Sequence, residues 1–112
     1  MRAPLLRRRL VLEEAGRAPD GAGGHVVTWA PRGVLWGEVV STSGRGLAVA
    51  GADLSRVSHR IRLRATGFGA PSRPVAGQRL REGARVFRIV AVIEADAGGR
   101  WLTCLAEEEG VR

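Results

Sequence analysis

The chain has 112 residues, with 18 Lys or Arg against 11 Asp or Glu, a formal net charge of +7. That length holds one domain: a chain of this size buries roughly 65% of its unfolded surface, enough for one core and not two. The single cysteine, Cys104, excludes an intrachain disulfide, and no apolar run approaches the roughly 18 residues that a membrane helix needs.

Every cation is arginine; lysine is absent. A coding style rich in G and C accounts for the residue type, in keeping with the many Gly and Ala residues. It does not account for the surplus of positive charge. Arginine is also the side chain best suited to bidentate recognition of phosphate or carboxylate.

Met1–Arg9 is charged but lacks a following apolar core, so it does not read as a signal peptide. The protein is expected to be made in the cytoplasm and to leave it only inside a larger particle. Leu10 and Leu12 alternate with charge, which predicts a first strand over Arg8–Glu14. The Pro-Asp-Gly-Ala-Gly-Gly run ending at Gly24 is a turn cluster. His25–Trp29 is β-branched and aromatic and predicts a second strand, closed by Pro31. Val34–Thr42 predicts a third, with Gly37 at a bulge. Ser43–Ser55 is small, Gly-rich and without a period, a long loop of the kind that is functional or disordered.

Val57–Arg64 alternates strictly. On a strand, Val57, His59, Ile61 and Leu63 share one face, and Arg60, Arg62 and Arg64 share the other. Three like charges in a row are cheap when solvated and useful when they meet an anion. Ala65–Gly77 is a second long loop, and Gln78–Leu80 a short strand. Arg85–Glu94 is the most apolar run and predicts the central strand; Asp96–Gly99 turns it back onto Trp101–Ala106. Glu107–Glu109 reads as an acidic tail. Six or seven short strands punctuated by Gly and Pro, without a helix, predict an all-β barrel or sandwich in a single domain. Residues 1–9 and 107–112 are candidate docking arms.

No residue set supports catalysis. His25 and His59 fall on separate strands, and His59 lies on an apolar face, where a hydrogen-bonded core histidine is expected. Cys104, among Leu102, Thr103 and Leu105, reads as a small buried hydrophobe. Two histidines and one cysteine at these separations match no zinc pattern. The glycines at 21, 23 and 24 lead into a strand, whereas a phosphate loop requires a following helix. The chain is expected to be neither an enzyme nor a holder of cofactors.

An ordered set of segments runs through most of the chain. It comprises the basic start with Leu10, the turn at Asp20–Gly24, Trp29, Leu35–Val39, Ser43–Arg45, Ser58–Arg64, Gly83–Ile89 and Gly99–Cys104. In this set the chain resembles phage head-tail joining proteins, the small head-closure or stopper proteins of long-tailed phages. Its arginine-only style is similar to versions encoded by the gene transfer agents of alphaproteobacteria. Where such proteins often carry a tyrosine near the late strand, this chain has Phe87.

The resemblance implies a β-barrel subunit that assembles with itself into a ring of six or twelve copies at the particle neck. The ring would sit between the portal-adaptor protein and the tail terminator or tail protein, prolonging the channel for packaged double-stranded DNA. It also implies a loop that reaches and gates the channel; the matching residues are Ser43, Gly44, Arg45 and Gly46, with Ala65–Gly77 a rival. Arg60, Arg62 and Arg64 form the expected basic face, and Trp29, Trp36, Phe87 and Trp101 the expected core or interface anchors. A ring multiplies the charge of +7 by its copy number, and such a field holds DNA without reading its sequence. Two alternatives remain: a small basic nucleic-acid-binding barrel, which would interleave exposed aromatics with arginine on one sheet face, and a tail terminator or tail-tube subunit.

Overall fold

The computed structural model describes residues 3–42 and 56–110. The alternation after Val57 is realised as strand geometry: in β3 (His59–Arg64), His59, Ile61 and Leu63 are buried while Arg60, Arg62 and Arg64 point outward. The other strands are β1 (Arg8–Pro19), β2 (His25–Ser41), β4 (Arg79–Glu82), β5 (Arg85–Glu94) and β6 (Trp101–Glu109). They close into an antiparallel barrel in the order β1-β2-β3-β6-β5-β4, with β4 pairing back to β1. Among the described residues there is no helix.

The interior is filled from every strand. Leu10 and Leu12 of β1, Ile61 and Leu63 of β3, Leu80 of β4, Phe87 and Ile89 of β5, and Cys104 and Ala106 of β6 pack into one cluster, with Leu35 and Val39 of β2 against it. Cys104 is fully buried, and loss of solvation pushes its thiol up to about 12, so it is an inert hydrophobe. Phe87 is the largest fully buried side chain.

Three expectations are corrected. Pro31 does not end a strand: β2 runs through it, because the register shift between Leu12 and Glu13 lets Arg32 fall out of the ladder as a bulge. A missing N–H is tolerated at such an irregularity. Gly37 is not at a bulge; it pairs regularly with Arg8 and Leu63 and faces inward. A Cβ there would lie 2.8 Å from Leu63 Cδ2 and 3.0 Å from Leu10 Cδ1, so close packing rather than a kink requires the glycine. Glu107–Glu109 are not a tail but the end of β6, opposite Arg88, Phe87 and Val86 of β5.

The molecule measures 51 × 28 × 27 Å, and its long dimension comes from the β1–β2 hairpin. Beyond Glu13 this pair leaves the barrel as a two-stranded arm, since β4 pairs only with Val11–Glu13 and β3 only with Gly37–Ser41. The arm tip is made by Asp20, whose carboxylate accepts from the backbone N–H of Ala22 (2.8 Å) and Gly24 (3.0 Å), with Gly21 and Gly23 at positive φ. The arm, the 65–78 segment and the β5–β6 turn share one end of the barrel. The other end carries the start of β1, the β4–β5 turn, the end of β6, and residues Thr42 and Arg56. Phe87→Ala should cost about 3–5 kcal/mol, whereas Trp36→Ala, at a side chain 53% exposed, should change the subunit by less than about 1 kcal/mol; urea midpoints of the two variants test the contrast.

Candidate assembly surfaces

Arginines divide into two groups. One is consumed within the subunit. Glu13, only 5% exposed, sits on the outside of the β1–β4 seam beneath two guanidinium groups: Arg79 Nε donates at 2.7 Å and Arg81 Nε at 3.0 Å. Arg79 also lies over the Trp29 ring, 4.1 Å from its centre. Burial alone would raise the Glu13 carboxyl, but the two arginines outweigh it and hold it below its ordinary value. At the end of the barrel where β1 starts and β6 finishes, Arg8 forks onto Glu82 (2.6 and 2.5 Å) and Arg85 onto Glu108 (2.7 and 2.8 Å). These hydrogen bonds hold both carboxylates low.

Glu108 also approaches His59, whose Nε2 lies 3.6 Å from its Oε1. The Ser58 hydroxyl is 2.9 Å from Nδ1, and the ring packs edge-on against Phe87. Burial holds this imidazole below its usual value despite the nearby carboxylate. His59 is therefore partnered within the end of the barrel, not presented for catalysis. Among the described residues, no three His, Cys, Asp or Glu side chains gather into a metal-binding group.

The second group of arginines has no carboxylate within ion-pair reach among the described residues. It includes Arg9, Arg60, Arg64 and Arg88. Of the expected basic face, Arg62 stands 3.8 Å from Glu38 and Arg64 covers the Trp101 ring at 5.0 Å. Arg60 faces outward without such a partner. Of the expected anchors, Phe87 is core, Trp29 and Trp101 are half-buried beneath arginines, and Trp36 lies outside the core altogether. Its position in β2 points outward because Leu35 and Gly37 take the inward places. Ser43, Gly44, Arg45 and Gly46 lie outside the described residues.

Trp36 therefore anchors an exposed face. Val34 is uncovered on the same face, Arg9 is the cross-strand neighbour of Trp36, and Glu38, which accepts from the Leu5 N–H (3.1 Å), separates Trp36 from the exposed Val40. A shallow cleft of about 240 Å³ beside it is lined by Leu6, Val34, Trp36, Leu63, Arg64 and Thr66. At the arm end a larger cleft of about 500 Å³ lies between the Arg32 bulge and the 65–78 segment. There Phe68 is almost fully exposed, with the Arg73 guanidinium 3.9 Å from its ring centre. Sequence reasoning missed Glu13, the Arg8–Glu82 and Arg85–Glu108 forks, and the Phe68–Arg73 stack. Each depends on a register or loop path that residue spacing does not reveal.

The sequence model described as phage head completion protein matches residues 1–109. The chain belongs to that family. This head completion protein is also similar to a solved chain from the virion of a native gene transfer agent particle, at 46% identity and a TM-score of 0.74, over 97% of this chain and 98% of that one. Protein SF1141 from Shigella flexneri 2a shares the fold, at 21% identity and a TM-score of 0.67 over the whole of both chains. No curated protein matches the sequence.

Acid should weaken the fold of this head completion protein. Glu13, Glu82 and Glu108 bind protons more weakly in the folded chain than when unfolded, so their stabilisation is complete above the ordinary carboxylate range and is lost as pH falls through their lowered values. His59, held below 6.5, adds loss of the same sign beginning near that pH. Urea midpoints should fall steadily from pH 7 to pH 3. Glu13→Gln should cost about 1–3 kcal/mol at pH 7 and flatten that decline.

Proposed function

We propose that this head completion protein is a structural subunit of a gene transfer agent or phage-like particle. It acts as a stopper ring that joins head to tail and extends the channel for double-stranded DNA. The 46% identity to a chain of a gene transfer agent virion, over nearly the whole length of both, carries this reading. The division of the arginines supports it: internal carboxylates satisfy Arg8, Arg79, Arg81 and Arg85, while Arg9, Arg60, Arg64 and Arg88 keep their charge for other molecules. A connector must pass any genome, and phosphate contact by arginine reads no sequence. The described residues hold no helix to enter a major groove. The role is assembly, not catalysis.

One observation favours a second reading, that of a single-strand-binding barrel. Arg9, Trp36, Arg64 and Trp101 interleave cation and ring across β1, β2, β3 and β6. Against it, Arg64 already covers the Trp101 ring at 5.0 Å, so that ring face is not open to a base.

Deletion of the gene should leave DNA-filled heads without tails, and particle reconstructions should show this chain's density where capsid meets tail. Intact tailed particles from the deletion strain would overturn the proposal. Submicromolar binding of the isolated subunit to short single strands would favour the second reading.

A further inference from the structure

The β1–β2 arm is jointed at its base. Past Glu13 and Pro31 neither strand has a further neighbour, and Arg32 drops out of the ladder where the arm leaves the barrel. A bulge bends a strand pair locally, and Pro31 donates no backbone hydrogen bond to stiffen this one. Residues 14–19, at about 3.3 Å each, make a lever of roughly 20 Å, so a swing of about 15° moves the tip by about 5 Å.

Two arginine tethers hold the arm, one on each face. Glu13 faces outward, so Glu14 faces inward, toward the cleft it lines, and Ala15 outward again. Trp29, the partner of Ala15, is therefore on the outer face, where Arg79 of β4 stacks over its ring at 4.1 Å. On the inner face Glu14 Oε2 accepts from Arg32 Nη1 (2.5 Å), and Arg32 Nε donates to the Pro71 carbonyl at 2.9 Å. Glu14 thus aims Arg32 at the 65–78 segment.

Both anchors are firm. Arg79 is fixed by Glu13 in the seam. Pro71 belongs to a segment tied by Arg73 Nη1 on the Thr66 carbonyl (2.5 Å), the Val75 N–H on the buried Gln78 (3.0 Å) and the Gly77 N–H on the Ile89 carbonyl (2.9 Å). The tethers themselves are weak. Arg32 and Glu14 are 30% and 50% exposed, and an exposed ion pair or cation–π contact weights an equilibrium by only about two- to fivefold. Between the arm's inner face and the 65–78 segment lies the cleft of about 500 Å³, with Phe68 and Val75 exposed along it. Val26, the partner of Ala18, stands exposed on the inner face of the arm itself. An inward swing brings these apolar groups together, out of water.

We propose that the arm is a hinged lever held between opposed tethers: Arg79 on Trp29 draws it outward, Arg32 on Pro71 draws it inward over the cleft, and loss of either swings it toward the other. The lever belongs to the single subunit, whatever particle that subunit joins.

Spin-label distances in the isolated full-length subunit test it. Cys104 is buried and inert, so nitroxides attach only at Ala22→Cys in the arm tip and Ala97→Cys in the β5–β6 turn. Strands β5 and β6 lie across the barrel from β2 and β1, so this distance reads the swing directly. Arg32→Ala should lengthen it by about 5 Å. Trp29→Ala, which leaves Arg79 on Glu13, should shorten it by a similar amount. Glu14→Gln should act in the same direction as Arg32→Ala but less. All three should keep urea midpoints near that of the unaltered chain, because the core cluster is untouched. Should Trp29→Ala fail to fold, Trp29→Leu must show the same shortening. Distances unchanged by both main variants, or shifts of one sign in both, would overturn the lever.

Discussion

Closure of the barrel depends on its shortest seam. β1 and β4 meet over three residue pairs, Val11–Arg81, Leu12–Leu80 and Glu13–Arg79. A six-stranded sheet left open there would expose Leu12, Leu80 and Phe87 to water and leave two edges able to pair with other chains. Glu13 spans the seam from outside, its two oxygens held by Arg79 and Arg81 of the facing strand. Charge-assisted bonds of this kind are strong because both partners are ionised, and here the shared carboxylate is shielded from water. The same ionic clasp takes up two of the chain's arginines, so barrel closure and the distribution of free charge are set together.

Much of the fold is legible in the sequence because the period-2 signal is strong. The alternation at Val57–Arg64 places His59, Ile61 and Leu63 inside and three arginines outside, and the barrel agrees. The run Arg85–Glu94 coincides with β5. What spacing conceals is register. Pro31 reads as a stop because proline donates no hydrogen bond, yet a bulge at Arg32 lets one strand of 17 residues continue past it. Glu107–Glu109 read as a solvated tail because three like charges suggest water; pairing with β5 instead draws Glu108 beneath Arg85.

The candidate surfaces were legible in residue type but not in placement. A tryptophan between Leu35 and Gly37 suggests core, but the close approach of Gly37 to Leu63 and Leu10 fixes the parity of β2 and turns Trp36 outward. The arginine surplus predicted a charged exterior. Which cations are spent internally follows only from cross-strand neighbours such as Arg8 with Glu82, 74 positions apart.

The projecting hairpin has one more consequence. From His25 to Trp36, β2 is bonded to β1 along one side only, and from Glu14 to Pro19 β1 is bonded to β2 alone. Paired ribbons of this kind are scarcely stable by themselves in water. The ribbon therefore draws its order from the barrel at its base and from side-chain clasps along its length, Arg79 over Trp29 and Arg32 on the Pro71 carbonyl, rather than from neighbouring strands.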